Sequence, residues 1–294
     1  MTGVWQHIGG HIADTLNKPF SIDRHASVGG GCISRAHVVS GAHGRYFVKL
    51  NRADMADMFE AEAEGLKEIA ASGTVSAPRP LCWGTVGETG YLVMEYMDLG
   101  RGGGDTAGTL GRQLAAMHRV TDESFGWRID NYIGSTPQVN TPETDWARFW
   151  QRRRLGHQLS LAAANGYGGR LTERGERLVE ALPAFFDHYA PAASLLHGDL
   201  WSGNWAGDRR GAPVVFDPAT YYGDREADIA MTELFGGFPA AFYEAYQAEF
   251  PLEAGYEDRK DLYNLYHVVN HLNLFGGAYL PQAQRLVDKL LASI

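Results

Sequence analysis

Two acidic residues and one amide near the middle of the chain have the types and the spacing that phosphoryl transfer requires. Asp199 and Asn204 lie five residues apart in the stretch HGDLWSGN (197–204), and Asp217 follows a short apolar run (214–216). Phosphoryl transfer needs one carboxylate to hold the attacking hydroxyl, and a second carboxylate and an amide oxygen to hold Mg²⁺ on the nucleotide phosphates. A loop that carries Asp199 and Asn204, followed by a strand that delivers Asp217, would bring these side chains together.

Each of these residue types also has a simpler explanation. Asp and Asn are frequent in turns, where their side chains bond to the nearby backbone, and a lone HGD triplet would favour that interpretation. Here His197, Gly198, Asp199, Asn204 and Asp217 occur together and in order, which is hard to obtain by chance. We therefore interpret the stretch as the site of a phosphotransferase.

A group of acidic residues shortly after this stretch is expected to support it. Asp224, Glu226 and Asp228 precede an apolar run. We expect one of them, for preference Asp228, to brace the loop by accepting hydrogen bonds from its backbone or from His197. A carboxylate that orients a histidine is a common supporting arrangement.

A lysine within an apolar strand is the candidate phosphate ligand. Lys49 lies in the stretch Phe-Val-Lys-Leu, where an unpaired ammonium would be costly. The alternative is an edge strand that lets the lysine reach solvent. The following segment has apolar residues at helical spacing over 55–71. It carries the acidic residues Glu60, Glu62, Glu64 and Glu68. Glu62 is the preferred partner of Lys49, because it shares a helix side with the core-facing Leu66, and Glu64 is the second choice.

A glycine-rich run between two predicted strands is a candidate cover for the phosphates. The run consists of Gly29, Gly30, Gly31, Cys32, Ile33 and Ser34. Glycine allows backbone N–H groups to approach phosphates closely, but the run is not G-x-G-x-x-G, so a hairpin turn is the alternative. Cys32 would be exposed near a lysine and a metal, which lowers a thiol pKa. We weigh an oxidation-sensitive thiol equally against a small packing residue.

A glycine-rich joint divides the chain. The predicted strand at 91–96 runs into the glycines at 100–104, where two lobes would hinge. We place an N-terminal nucleotide-binding lobe at residues 1–97 and a C-terminal catalytic and substrate-binding lobe at residues 98–294.

Apolar spacing predicts further helices over 1–20, 106–119 and 261–275. Another helix is predicted to start at residues 141–142, a threonine cap followed by proline at the first helical position. It would carry the arginine run at 152–154, which we interpret as a solvated face in preference to a site for an anionic or sugar-bearing substrate.

The composition limits the classes of protein that remain. The chain has 294 residues, of which 45% are hydrophobic and 21% charged, as in ordinary soluble globular proteins. No apolar run approaches the about 18–20 residues that a membrane helix needs, and the N-terminus lacks a basic segment followed by an apolar one. Two cysteines and a net charge of −9 favour a reducing cytoplasm over a disulfide framework and argue against nucleic acid as a partner.

Several stretches of the sequence together resemble the fructosamine-3-kinase (ketosamine-3-kinase) family, which is related to the aminoglycoside phosphotransferases. They are GGGCIS (29–34), FVKL (47–50), FEAEAEGL (59–66), DNYIGSTPQ (130–138), HGDLWSGN (197–204), DPATYYGDREADIAMTELFGGF (217–238) and YHVVNHLNLFGGAY (266–279). The pattern HGDxxxxN is shared with aminoglycoside and choline kinases. Trp201 after HGDL, the run NYIGSTPQ and the run NHLNLFGG are narrower and select this family.

The resemblance implies an α+β, protein-kinase-like fold of two lobes. The N-terminal lobe would hold an antiparallel sheet and one key helix, and the C-terminal lobe would be mainly helical. The implied reaction is ATP-dependent phosphorylation of the 3-hydroxyl of ketosamines with Mg²⁺, which leads to deglycation because the 3-phosphate is unstable and releases the amine. The expected partners are small-molecule ketosamines or glycated proteins, without nucleic acid or membrane, and the expected state is a cytoplasmic monomer or homodimer.

The resemblance also implies a role for each residue of the reaction site. Asp199 would be the catalytic base, and Asn204 and Asp217 would bind Mg²⁺. Lys49, paired with Glu62, would hold the α- and β-phosphates.

Three contacts with the two substrates complete this implied site. Residues 29–34 would cover the phosphates. Main-chain atoms of Glu95 and Met97 at the joint would bond the adenine edge, unless the joint is a linker without ligand contact. Trp201 would stack on the sugar or on the amine-bearing arm.

Two other functions stay open at this point. An aminoglycoside- or choline-type small-molecule kinase would share the pattern HGDxxxxN. An ATP-binding pseudokinase would bind nucleotide without catalysis, although a scaffold has no need for Lys49, Asp199, Asn204 and Asp217 together.

Overall fold

The N-terminal part of the molecule is a five-stranded antiparallel sheet with a helix on each face. The computed structural model describes residues 2–29, 33–42, 44–100 and 102–294. The helices are α1 (Thr2–Leu16) and α2 (Ala56–Ala71), and the strands are β1 (Arg24–Val28), β2 (Arg35–Gly41), β3 (Gly44–Arg52), β4 (Pro80–Val86) and β5 (Thr89–Glu95). The strand order β1-β2-β3-β5-β4 places β3 in the centre of the sheet.

Alternation along β3 explains how the two faces of the sheet are used. Val48 and Leu50 pack in the apolar cluster with α1, whereas Phe47 packs in the cluster that contains Phe59 of α2. Because successive side chains of a strand point to opposite faces, Lys49 shares the α2 face with Phe47. The alternative of an edge-strand lysine is wrong, because β3 lies in the centre of the sheet.

The C-terminal part is mainly helical. Its helices are α3 (Thr106–Met117), α4 (Trp146–Phe149), α5 (Gly156–Ala164), α6 (Arg170–Ala181), α7 (Glu226–Leu234), α8 (Ala240–Glu249), α9 (Tyr256–Phe275) and α10 (Leu280–Ala292). A π-helical turn (Trp150–Leu155) joins α4 to α5, and short 3-10 segments lie at Ala53–Met55, Leu182–Phe186 and Gly277–Tyr279. Within the described ranges, none of the helices combines the length and the apolar content that crossing a bilayer requires.

Small sheets complete this part and form its connection to the joint. The strands are β6 (Leu99–Gly100), β7 (Thr121–Asp122), β8 (Asn131–Ile133), β9 (Thr136–Gln138), β10 (Ala193–Leu196), β11 (Trp205–Asp208), β12 (Pro213–Val215) and β13 (Tyr221–Gly223). Their orders are β13-β10-β7 and β12-β11-β6, and β8 pairs with β9. Since β6 pairs with β11, the chain enters the C-terminal part soon after β5, and we propose the lobe boundary between residues 97 and 98.

Most helices predicted from apolar spacing are present, with shifted ends. The predicted helix at 1–20 ends at Leu16, and the one at 106–119 ends at Met117. The predicted helix at 261–275 begins earlier, at Tyr256.

The predicted helix start at 141–142 is wrong. Helix α4 begins after Asp145 instead, whose Oδ1 accepts a hydrogen bond from the backbone N–H of Arg148 at 2.7 Å. The preceding residues stay extended, because Glu143 and Phe125 exchange two backbone hydrogen bonds of 2.9 and 3.0 Å. This pairing between distant segments overrides the local helix signal.

The arginine run predicted to lie on a solvated face is partly internal. Arg154 is fully buried, and its guanidinium carbon lies 4.6 Å from the ring centre of Phe149 and 4.1 Å from that of Tyr221. Its N–H groups donate to Val139 O at 2.8 Å and to Asn140 Oδ1 at 2.7 Å. The π-helical turn contains an extra residue relative to an α-helical turn, and this changes which side chain faces the core.

Helix α2 contacts the C-terminal part as well as the sheet. Glu68 Oε1 accepts a hydrogen bond from the hydroxyl of Tyr222 at 2.8 Å. Gly65 lies directly against Thr220, so that a Cβ at this position would come within 2.8 Å of Thr220 Oγ1. The helix is therefore held between the two parts of the molecule.

We expect Gly65→Ala to destabilise the protein and Gly10→Ala to stabilise it. Both glycines lie inside helices, where alanine gains about 1 kcal/mol of helix propensity, but only Gly65 would place its Cβ against another side chain. Forcing atoms into a packed contact typically costs about 1–3 kcal/mol. The measurement is urea unfolding of the two variants beside the wild type. If Gly65→Ala raised the unfolding midpoint as Gly10→Ala does, the close contact between α2 and Thr220 would be wrong.

Candidate active site

The loop that carries the predicted catalytic residue connects β10 and β11. The four residues of β10 are all buried, and the chain turns directly after them at Gly198, whose φ of 82° is left-handed. A Cβ at Gly198 would collide with the backbone oxygen of Ala219. This turn therefore requires glycine, and it leads the chain into Asp199.

Asp228, the residue chosen to brace this loop, contacts its backbone directly. The buried carboxylate in the first turn of α7 accepts hydrogen bonds from the N–H groups of His197 at 2.7 Å and Gly198 at 2.8 Å. His118 Nε2 lies 3.2 Å from the same carboxylate, and His118 Nδ1 bonds to the hydroxyl of Tyr246 at 2.8 Å. Burial opposes ionisation, but the contact with His118 and the other donors together keep the pKa of Asp228 below its ordinary value.

His197 joins the loop to the segment around Asp217. Its Nδ1 accepts a hydrogen bond from Asp199 N–H at 3.3 Å, which leaves Nε2 to donate to Phe216 O at 3.1 Å. Burial lowers the pKa of His197, so the ring is neutral in this tautomer. Its backbone oxygen also accepts a hydrogen bond from Ala219 N–H at 2.8 Å. Both ring nitrogens are used for structure, so His197 does not serve as a proton acceptor.

Asn204 joins Asp199 to Asp217. Its Nδ2 lies 2.8 Å from the backbone oxygen of Asp199, 3.3 Å from Asp199 Oδ2 and 3.5 Å from the backbone oxygen of Asp217. Asp217 has a φ of 58°, a left-handed conformation that is uncommon for a residue other than glycine. Because the amide nitrogen of Asn204 faces Asp199, its amide oxygen is left for another partner.

Lys49 lies between two carboxylates. Its Nζ is 2.6 Å from Glu62 Oε1 and 2.7 Å from Asp217 Oδ1. Glu64, the second choice for this partner, forms an ion pair with Lys67 at 2.8 Å instead. Burial disfavours the ammonium, but the attraction of Asp217 and Glu62 outweighs this and raises the pKa of Lys49. Lys49 is therefore a fixed positive charge beside Asp217.

Asp199 is half-buried, and its carboxyl has little positive charge around it. Burial raises the pKa of Asp199 to about 7, and the negative charge of Asp217 acts in the same direction, while the hydrogen bond from Asn204 opposes both. A carboxyl that titrates near neutral pH is suited to accept a proton during a reaction.

The described end of the glycine-rich run lies on the Lys49 side of the sheet. Asn51 Nδ2 is 3.4 Å from both Ile33 O and Ser34 Oγ, and Asn51 points to the same face of β3 as Lys49 because it follows by two positions. Gly29, at the other end, is exposed. Gly30, Gly31 and Cys32 lie outside the described residues, so their roles, including oxidation of Cys32, stay predictions.

The joint after β5 offers fewer main-chain groups than predicted. The backbone N–H of Glu95 donates to Arg79 O at 2.9 Å, and its side chain forms an ion pair with Arg79 at 3.0 Å. Of the two main-chain polar groups of Glu95, the carbonyl is therefore the candidate for an adenine contact. Met97 lies half-buried between β5 and β6.

An aromatic wall lies beside Asp199. Trp201 follows it by two positions and is 37% exposed. The ring centre of Trp201 is 6.5 Å from that of Phe235, which is 4.7 Å from that of His271. Phe235 and His271 were not predicted to belong to the site, although both lie in stretches that carry the family resemblance. Their position in those stretches was a signal, but nothing in it specified a contact with Trp201.

The oxygen atoms of this site fit a magnesium ion. The carboxylate of Asp217 is 43% exposed, and the amide of Asn204 supplies a second hard oxygen donor. In the part of the chain that the structure describes, no group of three His, Cys, Asp or Glu residues could hold a metal. A carboxylate and an amide oxygen are ligand types that Mg²⁺ takes together with waters and phosphate oxygens.

We expect Asp199→Asn to stabilise the nucleotide-free protein at high pH. The folded-state pKa of Asp199 is raised to about 7 from 3.8, so between these pH values the folded state binds a proton that the unfolded state has lost. Stability then falls as pH rises through this window, and each pKa unit corresponds to about 1.4 kcal/mol. The asparagine variant avoids this loss.

The measurement is urea unfolding at pH 5 and pH 8 in the presence of EDTA. The free energy of unfolding of Asp199→Asn should exceed that of the wild type by a few kcal/mol at pH 8 and by less at pH 5. Asp14→Asn, an exposed position in α1, is the control and should change stability by no more than about 0.5 kcal/mol at either pH. An equal effect of Asp199→Asn at both pH values would contradict the raised pKa.

Comparison with known proteins agrees with this geometry. The chain matches the family model for fructosamine kinase over residues 4–293. It is 47% identical over 288 residues to a Synechocystis protein named a probable ketoamine kinase, covering 98% of this chain and 97% of that protein. It is 43% identical over 280 residues to a chloroplastic protein-ribulosamine 3-kinase of Arabidopsis thaliana, covering 94% of this chain and 85% of that protein.

A solved structure from Haemophilus somnus, ascribed to the fructosamine-3-kinases, superposes with a TM-score of 0.89 at 27% identity and covers 97% of this chain and 96% of that one. This agreement confirms the predicted fold class. The family model spans nearly the whole chain, and relatives above 40% identity cover most of it. The chain therefore belongs to the fructosamine kinase family.

Proposed function

We propose that this protein uses ATP to phosphorylate the 3-hydroxyl of ketosamines, the adducts of sugars with amines, and so starts their deglycation. The observation that carries the proposal is the convergence of Lys49, Asp199, Asn204 and Asp217. The Arabidopsis relative is named a protein-ribulosamine 3-kinase, which supports both the ketosamine class and the position of the hydroxyl.

Asp199 is the residue that would act on the acceptor hydroxyl. Its carboxylate accepts the hydroxyl proton while the acceptor oxygen forms a bond to the γ-phosphorus of ATP. The bond from that phosphorus to the bridging oxygen breaks, and ADP leaves with the electron pair. A pKa of about 7 leaves Asp199 partly ionised at neutral pH, so it can take the proton and afterwards release it to water.

Lys49 and the oxygen ligands would act on the phosphates. Lys49 would contact the α- and β-phosphates while Glu62 holds its ammonium in place. Asn204 and Asp217 would hold Mg²⁺, which when bound neutralises charge on the phosphates. The run at 29–34 would cover the phosphates.

The two substrates would be held at their outer ends by the joint and the aromatic wall. The carbonyl of Glu95 and the main chain of Met97 would contact adenine. The face of the Trp201 ring would stack on the sugar or on the amine-bearing arm of the ketosamine, since a partly exposed ring offers apolar contact at low entropic cost.

The chemistry of the product suits a repair reaction. In the 1,2-enaminol form of the 3-phosphate, the C3–O bond breaks and phosphate leaves with the electron pair more readily than hydroxide would. Water then hydrolyses the carbon–nitrogen double bond that remains, which releases the amine and a deoxydicarbonyl sugar. The protein therefore needs to supply only the phosphorylation step.

The first test is coupled ATP consumption with Mg²⁺ on a panel of a ribulosamine, a fructosamine, an aminoglycoside, choline and no acceptor. We expect turnover on a ketosamine. Asp199→Asn should lower kcat on that ketosamine by about 10²–10⁴-fold, because it removes the proton acceptor, while ADP binding measured by calorimetry is retained.

The panel separates the alternatives. Turnover on the aminoglycoside or on choline alone would overturn the proposed substrate and keep the phosphotransferase. ATP binding without turnover on any acceptor would favour a pseudokinase. Retention of most activity by Asp199→Asn would contradict the role of Asp199.

We expect Glu62→Gln to weaken ATP use and Glu64→Gln to leave it unchanged. Glu62 accepts a short charge-assisted hydrogen bond from Lys49, whereas Glu64 bonds to Lys67. Such a bond is worth about 1.5–3 kcal/mol, so the KM for ATP should rise by roughly tenfold or more in Glu62→Gln. The measurement is the KM for ATP of both variants at saturating ketosamine. Equal KM values for the two variants would show that ATP use does not require Glu62 to hold the ammonium of Lys49 in place.

A further inference from the structure

Asp217 lies in a conformation that its surroundings must maintain. Its φ of 58° is a left-handed conformation that is unfavourable for a residue with a Cβ and persists only where the neighbouring structure fixes it. On its N-terminal side, Phe216 N–H donates to Asn204 O at 3.0 Å, and Phe216 O accepts from His197. On its C-terminal side, Ala219 N–H donates to His197 O.

The other two contacts on the C-terminal side come from the hairpin formed by β8 and β9. Asn131 Nδ2 donates to Thr220 O at 2.7 Å, and Gln138 Nε2 lies 3.3 Å from Ala219 O. Gln138 Nε2 also donates to Asn131 Oδ1 at 2.8 Å. Both amides are buried. Two successive carbonyls after Asp217 and Pro218 are therefore bonded by side chains that are far from them in sequence.

The amide of Gln138 is fixed at both ends. Its Oε1 accepts a hydrogen bond from the hydroxyl of Tyr266 in α9 at 2.6 Å, so its nitrogen must face Ala219 and Asn131. Asn131 Oδ1 also accepts from Asn140 Nδ2 at 2.9 Å. A buried polar network in which every member has a partner favours one arrangement. No apolar side chain of the same length could replace these bonds.

We propose that Gln138 is a positioning residue for Asp217. By bonding the Ala219 carbonyl and orienting Asn131 on the Thr220 carbonyl, it holds Asp217 in the left-handed conformation that directs its carboxylate to Lys49 and to the metal. This inference rests on the proposed function, since it assigns Gln138 to the metal side of that site.

The test compares Gln138→Met with Gln151→Met. Gln151 is the control: it is half-buried and its Nε2 donates to Val179 O of α6 at 2.6 Å, but among the described residues its side chain has no hydrogen bond to Tyr266 or to the segment after Asp217. Calorimetry measures the Kd for ADP with saturating Mg²⁺ and again in EDTA. Urea unfolding of each variant is measured in parallel.

Gln138→Met should weaken ADP binding about 5- to 30-fold with Mg²⁺, because bonds worth about 1–2 kcal/mol are lost from a buried group, and should leave binding in EDTA unchanged. It should also raise the Mg²⁺ concentration for half-maximal turnover, with the KM for the ketosamine unchanged. Gln151→Met should lower stability without changing either Mg²⁺ response. Tyr266→Phe removes the hydroxyl that orients the Gln138 amide, so it should shift the Mg²⁺ dependence in the same direction by less.

Equal Mg²⁺ dependence in Gln138→Met and the wild type, or an equal change in the Gln151 control, would overturn the proposal. If Gln138→Met fails to fold, Tyr266→Phe decides the question by the same measurements. Absence of turnover on every ketosamine would overturn the proposed function instead, and the Mg²⁺ dependence of ADP binding would still test the role of Gln138.

Discussion

The rest of the site depends on the two ion pairs that the largely buried ammonium of Lys49 forms. Lys49 lies on the central strand of the sheet and meets Glu62 from α2 and Asp217 from the segment after β12, at 2.6 and 2.7 Å. Three separate stretches of chain therefore converge on one charge. Removing one partner from a buried pair costs several kcal/mol, because the remaining charge stays uncompensated. This constraint explains the close packing of Gly65 against Thr220, since α2 cannot withdraw without unpairing Glu62.

Three aspartates of the site differ in what compensates their charge, and this difference fits their separate roles. Asp228 accepts hydrogen bonds from two backbone N–H groups and contacts His118, so it stays ionised and holds the loop. Asp217 has the ammonium of Lys49. Asp199 has mainly the amide of Asn204, and burial raises its pKa to about 7. Asp199, whose negative charge has the fewest compensating contacts of the three, is the one assigned to take a proton. In other enzymes, too, different environments give two carboxyl groups different pKa values and so different roles.

Much of the fold and site could be predicted because it follows from short patterns. The kinase-like pattern led us to expect a glutamate partner for Lys49, and the spacing of Glu62 and Leu66 along one helix selected Glu62. The spacing of Asp199 and Asn204 identified their loop. Contacts between distant segments gave no such signal. His118 and Asp228 are 110 positions apart, and the inward turn of Arg154 depends on a local change of helix type. Residues 130–138 carried the family resemblance, yet amide side chains show no periodicity that would reveal their partners.

The support around Asp217 also connects the nucleotide side of the site to the acceptor side. Tyr266, which bonds to Gln138, and His271, which lies in the aromatic wall, both belong to α9. A single helix therefore contacts both the hairpin and the aromatic wall. Phosphoryl transfer gains most of its acceleration from positioning and from electrostatic stabilisation, because the transferred group needs little covalent help. Under the proposed function, α9 would help to position both reactants, the nucleotide through the buried amides that support Asp217 and the acceptor through His271 in the aromatic wall.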